Sequence, residues 1–79
     1  MENWNRYVAG HIERNEIGRF ELHELELTSG SSVELRFHEG WVAGHVEHDG
    51  QGYVFVSHED QCFATLTEGM EARVHVVLH

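Results

Sequence analysis

The sequence predicts an all-β fold: a small single-domain β-barrel, SH3-like or OB-like, of about six short strands in two similar three-strand units. Three observations carry this expectation. Apolar and polar residues alternate with a period of two along most of the chain. Turn signals built from Gly, Asn and Asp separate the alternating segments, and Pro is absent. Residues 7–37 also resemble residues 41–76, so the same strand grammar is written twice. With 79 residues, the span 1–79 is one domain, near the size at which a single core only just supports folding.

The first unit opens with YVAGHIERNEIGRFEL, residues 7–22, and the second with WVAGHVEHDGQGYVFV, residues 41–56. Aligned without a gap, they are identical at Val8, Ala9, Gly10, His11, Glu13 and Gly18 of the first. Trp4, Tyr7, Val8, His11 and Ile12 also sit at helical spacing. Gly44 and its β-branched neighbours in the same frame of the second unit favour a strand for both. Arg14 to Gly18 then reads as a turn, and Phe20 and Leu22 as a returning strand. Leu27-Thr28-Ser29-Gly30 leads into a third strand through Val33, Leu35 and Phe37. The second unit repeats the plan. Val42, Gly44 and Val46 alternate, and Asp49-Gly50 marks a hairpin turn. Val54 and Val56 return, and Leu66-Thr67-Glu68-Gly69 leads into Ala72, Val74 and Val76.

Without a gap, Val46 faces Val54 and both point inward. The expected core is then Val8, Ile12, Phe20, Leu22, Leu35, Val42, Val46, Val54, Val56 and Val74. The same register places His45 opposite Phe55 and Glu47 opposite Tyr53 on the outer side. An outward strip of Trp41, His45, Tyr53 and Phe55 follows, the expected partner-binding face. Aromatic strips on barrel faces bind peptides or single-stranded nucleic acid. Alternatively, Trp4, the N-terminal arm or the C-terminal tail covers the strip as a second small core.

Charge narrows the partner. There are fourteen acidic residues, five Arg and no Lys, for a net charge of −9. Such a surface repels a phosphate backbone and is attracted to a basic one. The eight His residues, if all protonated, would bring the charge to about −1, so surface charge depends strongly on pH near the ordinary His value of about 6.5.

Reactive chemistry is sparse. His48, Asp49 and His58 are weak metal candidates, because they follow no ligand-spacing code. Ser57-His58-Glu59-Asp60 holds the letters of a catalytic triad, but adjacent residues cannot form that relay. The single Cys62 has no disulfide partner within the chain and, in the apolar run CFATL, reads as a small buried hydrophobe. No phosphate loop, paired-carboxylate motif or cofactor fingerprint is present, so neither an enzyme nor a cofactor is expected. No apolar run reaches membrane-spanning length and no signal segment is visible, which makes the cytoplasm the expected location.

GRFEL (18–22), ELTSGSSVEL (26–35), GWVAGHVE (40–47), GYVFV (52–56) and LTEGMEARV (66–74) together resemble a family of small bacterial domains catalogued as domain of unknown function 5348. The resemblance spans Gly18 to Val74 and implies a compact β-barrel. It brings over no catalytic or binding residue. His45 stands where the family often has Arg, which weakens a nucleic-acid reading. VFVSH followed by FATLTEGMEARVHV is also similar to the third and fourth strands of cold-shock domains, without their Lys-rich strand or basic face.

The expected function is therefore protein–protein interaction without catalysis, through the aromatic face or an acidic rim. The first alternative is an acidic inhibitor or nucleic-acid mimic of anti-defence type that blocks a basic nucleic-acid-binding partner. A barrel binding single-stranded nucleic acid comes second.

Overall fold

The computed structural model describes residues 4–38 and 40–78, which form nine strands and no helix. They are β1 (Trp4–His11), β2 (Glu13–Arg14), β3 (Phe20–Leu22), β4 (Leu25–Leu27), β5 (Ser32–Phe37), β6 (Gly40–His48), β7 (Tyr53–Ser57), β8 (Phe63–Thr65) and β9 (Glu71–Leu78). The N-terminal segment is thus a strand, as the alternation requires. The short β2, β4 and β8 exceed the six strands expected. All pairings are antiparallel. Six strands form one sheet in the order β1-β9-β5-β6-β7-β8, and β2-β3-β4 form a second, smaller sheet.

The small sheet lies against one side of the large one. Phe20, Leu22 and Leu27 bury their side chains with Ile12, Val33, Leu35, Val46, Phe55, Leu66 and Ala72 in a single core. Burying one such aliphatic or aromatic side chain contributes roughly 1.5–3 kcal/mol, and these residues supply most of the stabilisation. The small sheet closes with a tight hairpin in which His23 and Glu24 both take positive φ (49° and 72°). Two left-handed residues give the turn a twist that matches its strands, at a cost that Asn-Gly would avoid. His23 secures this hairpin by hydrogen bonding through Nε2 to Ala9 O at 2.7 Å.

Bonding recurs at matching positions of the two similar stretches. Ile12 N–H donates to Met70 O (2.8 Å) while Gly69 N–H donates to Ile12 O (2.8 Å). Val46 N–H donates to Ser31 O (2.8 Å) and Gly30 N–H to Val46 O (2.7 Å). Gly30 and Gly69 have φ of 95° and 92°, where a Cβ is disfavoured. The first strand of each stretch pairs with the third strand of the other, β1 with β9 and β6 with β5. In the middle of the sheet β5 meets β9 with Glu34 opposite Arg73.

The β6–β7 register differs from the sequence expectation by one residue. Val46 faces Phe55, His45 faces Val56, Glu47 faces Val54 and His48 faces Tyr53. The two hairpin turns explain the slip. In the first, Asn15 N–H bonds Arg19 O, and Asn15 Oδ1 accepts from the N–H groups of Ile17 and Arg19 (3.1 and 2.9 Å). In the second, Asp49 N–H bonds Gly52 O, and Asp49 Oδ1 accepts from Gln51 and Gly52 (2.9 and 3.0 Å). The same side-chain cap thus closes a loop one residue shorter in the second case. A one-residue change in a turn moves every returning side chain to the other face. Phe55 therefore takes the inward position at 1% exposure, and Val54, expected in the core, is partly buried on the outer side. Of the other expected core residues, Ile12, Phe20, Leu22, Leu35, Val46 and Val56 are buried, while Val8, Val42 and Val74 are partly buried.

Candidate functional site

Cross-strand partners share a face of a sheet, so the register defines the outer face of the six strands. Tyr7 faces His75, Ala9 faces Arg73, Arg73 faces Glu34, Glu34 faces Ala43, and Arg36 faces Trp41. Further across, Ser32 faces His45, His45 faces Val56, and Val56 faces Phe63. The small sheet occupies the opposite side, so Tyr7, Arg36, Ala43, Phe63 and His75 of this row are exposed, while Val56 is buried.

Arg73 organises the centre of the face. Its Nε and Nη2 both donate to Glu34 Oε1, at 3.0 and 2.8 Å. Its guanidinium lies 4.0 Å from the Tyr7 ring centre and 4.4 Å from that of Trp41. A planar, weakly hydrated cation suits a slot between two rings, where Lys would leave both faces poorly filled. On the outer flanks, His75 packs on Tyr7 with ring centres 5.1 Å apart, and Arg36 lies 5.7 Å over Trp41. Tyr7 remains 47% exposed. Beside this stack an open depression is lined by Ser32, Glu34, Ala43, His58, Arg73 and His75. His45 stacks on His58 with ring centres 5.4 Å apart, and its Nε2 contacts Glu47 Oε2 at 2.5 Å.

The four residues of the expected strip are divided by this geometry. Trp41 and His45 lie on the outer face. Tyr53 and Phe55 turn inward. Tyr53 packs edge-on against Phe20 and His48 (6.1 and 4.8 Å), and Phe55 packs against Phe37 at 6.2 Å. The expected cover by Trp4, the N-terminal arm or the C-terminal tail falls on side chains outside the described residues. Sequence reading missed Tyr7, Glu34 and Arg73. A signal was present, because Tyr7 aligns with Trp41, and Glu34 aligns with Arg73 in the later matching segment.

The weak metal candidates do not converge. His48 and Asp49 sit at the β6–β7 turn and His58 lies over His45. Among the described residues no three His, Cys, Asp or Glu side chains come together to hold an ion. Ser57 to Asp60 forms a loop knot in place of a relay. The Ser57 hydroxyl donates to Asp60 Oδ1, and Cys62 N–H approaches both Asp60 Oδ1 and Ser57 Oγ at 3.2 Å. The Ser57 hydroxyl, then the Cys62 backbone, hold the Asp60 carboxyl below its ordinary value. Hydrogen bonding to Asp60, followed by its charge, raises the Cys62 thiol. Cys62 is exposed, contrary to the expected buried hydrophobe, because it ends the β7–β8 loop at the rim of an open hollow shared with Phe55 and Ala64.

The sequence model of the family described as Domain of unknown function (DUF5348) matches residues 10–74. The chain belongs to this family. The DUF5348 match takes in Glu34, Trp41 and Arg73 and begins after Tyr7, so one ring of the stack lies outside it. Neither the curated proteins nor the solved structures provide a match.

Proposed function

We propose that the protein is a non-catalytic interaction module that binds a basic protein partner on the outer face of its large sheet. The observation that carries this reading is the Tyr7–Arg73–Trp41 stack held by Glu34. It is a pre-ordered platform of the residue types that anchor protein contacts, built on strands and partly open to solvent. The partner's charge follows from where the cations go. Arg73 is held by Glu34, Arg19 pairs with Glu26 at 3.3 Å, Arg14 lies over Phe20, and Arg36 lies over Trp41. Four of the five Arg are thus engaged within the chain, and among the described residues only Glu26, Glu34 and Glu47 have an Arg or His ion-pair partner. The remaining negative charge speeds encounter with a basic surface.

A second reading shares this support: an acidic inhibitor that occupies the nucleic-acid site of a basic partner. Single-stranded nucleic-acid binding comes third, because few free cations are available to displace counterions. On the fold, we read two interleaved copies of one three-strand unit curling toward a small barrel of SH3-like or OB-like type. The recurring hydrogen bonds of Ile12 and Val46 support this reading. A lone exposed thiol suits a reducing cytoplasm.

Calorimetric titration with an Arg-rich peptide and with single-stranded DNA of matched charge, both at physiological salt, tests the reading. The peptide should bind and the DNA should not, and Trp41→Ala should weaken the peptide about tenfold or more, a change of about 1.4 kcal/mol. DNA binding without peptide binding would sink it.

A further inference from the structure

We infer that the free edge of β8, with the hollow beside it, is where an extended basic segment of a partner protein adds a strand to the sheet. The inference rests on the interaction reading above but names a different surface, so each can fail alone.

β8 is the last strand of the six and pairs only with β7. Ser57 N–H bonds Cys62 O (3.0 Å) and Leu66 N–H bonds Tyr53 O (3.1 Å), which fixes the alternation along the pair. Cys62, Ala64 and Leu66 direct their backbone groups toward β7. The N–H and C=O groups of Phe63 and Thr65 point away from the sheet. Apart from the shortness of β8, three residues, this edge lacks the usual guards against pairing. It carries no Lys or Pro, no strand covers it among the described residues, and Phe63 is 71% exposed.

Side chains of an added strand would alternate between two surfaces. One surface is the outer face beside Phe63. The other is a mainly apolar hollow lined by Phe37, Val42, Phe55, Ala64, Asp60 and Cys62, able to take an aliphatic side chain. Charge selects the occupant. Between Arg36 and Arg73 the chain has seven carboxylates and neither Lys nor Arg. β6, β7 and β8 and their loops all fall in that interval. Asp60 stands at the rim of the hollow, with Glu59 next to it in the loop. A segment alternating aliphatic residues with Arg or Lys fits the backbone edge, the hollow and the charge together.

The test is an amide NMR titration with a short peptide alternating Arg and Val, beside a control peptide carrying Pro at its centre. The Arg–Val peptide should shift the Phe63 and Thr65 amides and slow their hydrogen exchange, and the Pro control should not. Thr65→Pro removes an outward donor without touching the β7 ladder, and should lower affinity at least tenfold. If that variant fails to fold, Phe63→Lys should give the same loss by charge repulsion at an exposed site. Shifts confined to Tyr7, Trp41 and Arg73, with Thr65→Pro neutral, would overturn the edge inference and leave the face reading intact. Self-association through the same amides without peptide would assign the edge to a second copy of this chain and overturn the inference. Absence of binding at any amide would remove both readings.

Discussion

Gly44→Ala separates this structure from the register that the sequence suggests. A Cβ built at Gly44 would lie 2.3 Å from Val56 O and 2.5 Å from two ring carbons of Phe55. The oxygen is backbone within a paired strand and the ring is fully buried, so neither can retreat cheaply. Overpacking of this kind costs about 1–3 kcal/mol or more, and two unyielding neighbours place the loss near 3 kcal/mol. For a domain of this size each kcal/mol moves Tm by roughly 4–8 °C, so melting should fall by about 12 °C or more. Gly10→Ala, at the matching position of the first stretch, is the internal control. There the Cβ would meet only the exposed His23 ring, 2.5 Å away at Nε2, which can swing aside. Losing its bond to Ala9 O costs about 1 kcal/mol, and reduced unfolded-state entropy returns about 0.4–1. Thermal and urea melts of the two variants should therefore differ by about 2 kcal/mol or more. Equal, small losses in both would mean that Phe55 does not lie beneath Gly44, and the assignment of faces would fall with it.

Further outcomes follow from the side-chain contacts. Arg73→Lys keeps the charge but loses the two-donor grip on Glu34 and the flat fit between Tyr7 and Trp41. Since the pair is partly exposed, urea melts should show a loss of about 1–2 kcal/mol, and unchanged stability would mean the stack is decorative. The Asp60 carboxyl is held low in the folded chain by Ser57, so its stabilisation is present above the unfolded value of about 4 and is lost as pH falls through the folded value. Acid titration of Asp60→Asn should lack that part of the decline, while Asp49, lowered by the Gln51 and Gly52 amides, still contributes its own. The same substitution should speed alkylation of Cys62 at neutral pH, because Asp60 is what raises the thiol. An unchanged rate would remove Asp60 from that role.

Much of the fold was legible because alternation is a direct image of a sheet. Ile12, Phe20, Leu22, Leu35 and Val46 are buried where the period of two places them. The turns were legible in kind but not in length. Asn15 and Asp49 cap their loops in the same way, yet one loop is a residue shorter. Nothing in the composition of RNEIG and HDGQG reveals that difference. The slip moved Phe55 and Tyr53 from the expected outer strip into the interior. The stack was illegible for another reason. Tyr7, Glu34, Trp41 and Arg73 come from four strands, and only the pairing of β5 with β9 brings the third strands of the two stretches together.

The most direct test of the functional account follows the side-chain signals of the stack during titration with an Arg-rich peptide. The Arg73 Nε–H, the Trp41 indole N–H and the Tyr7 ring protons report the outer face without passing through the backbone. All three should respond together and saturate at one peptide concentration, while the Tyr53 ring, turned to the other side of the sheet, stays unchanged. A response at Tyr53 with the three outer signals unmoved would contradict that account.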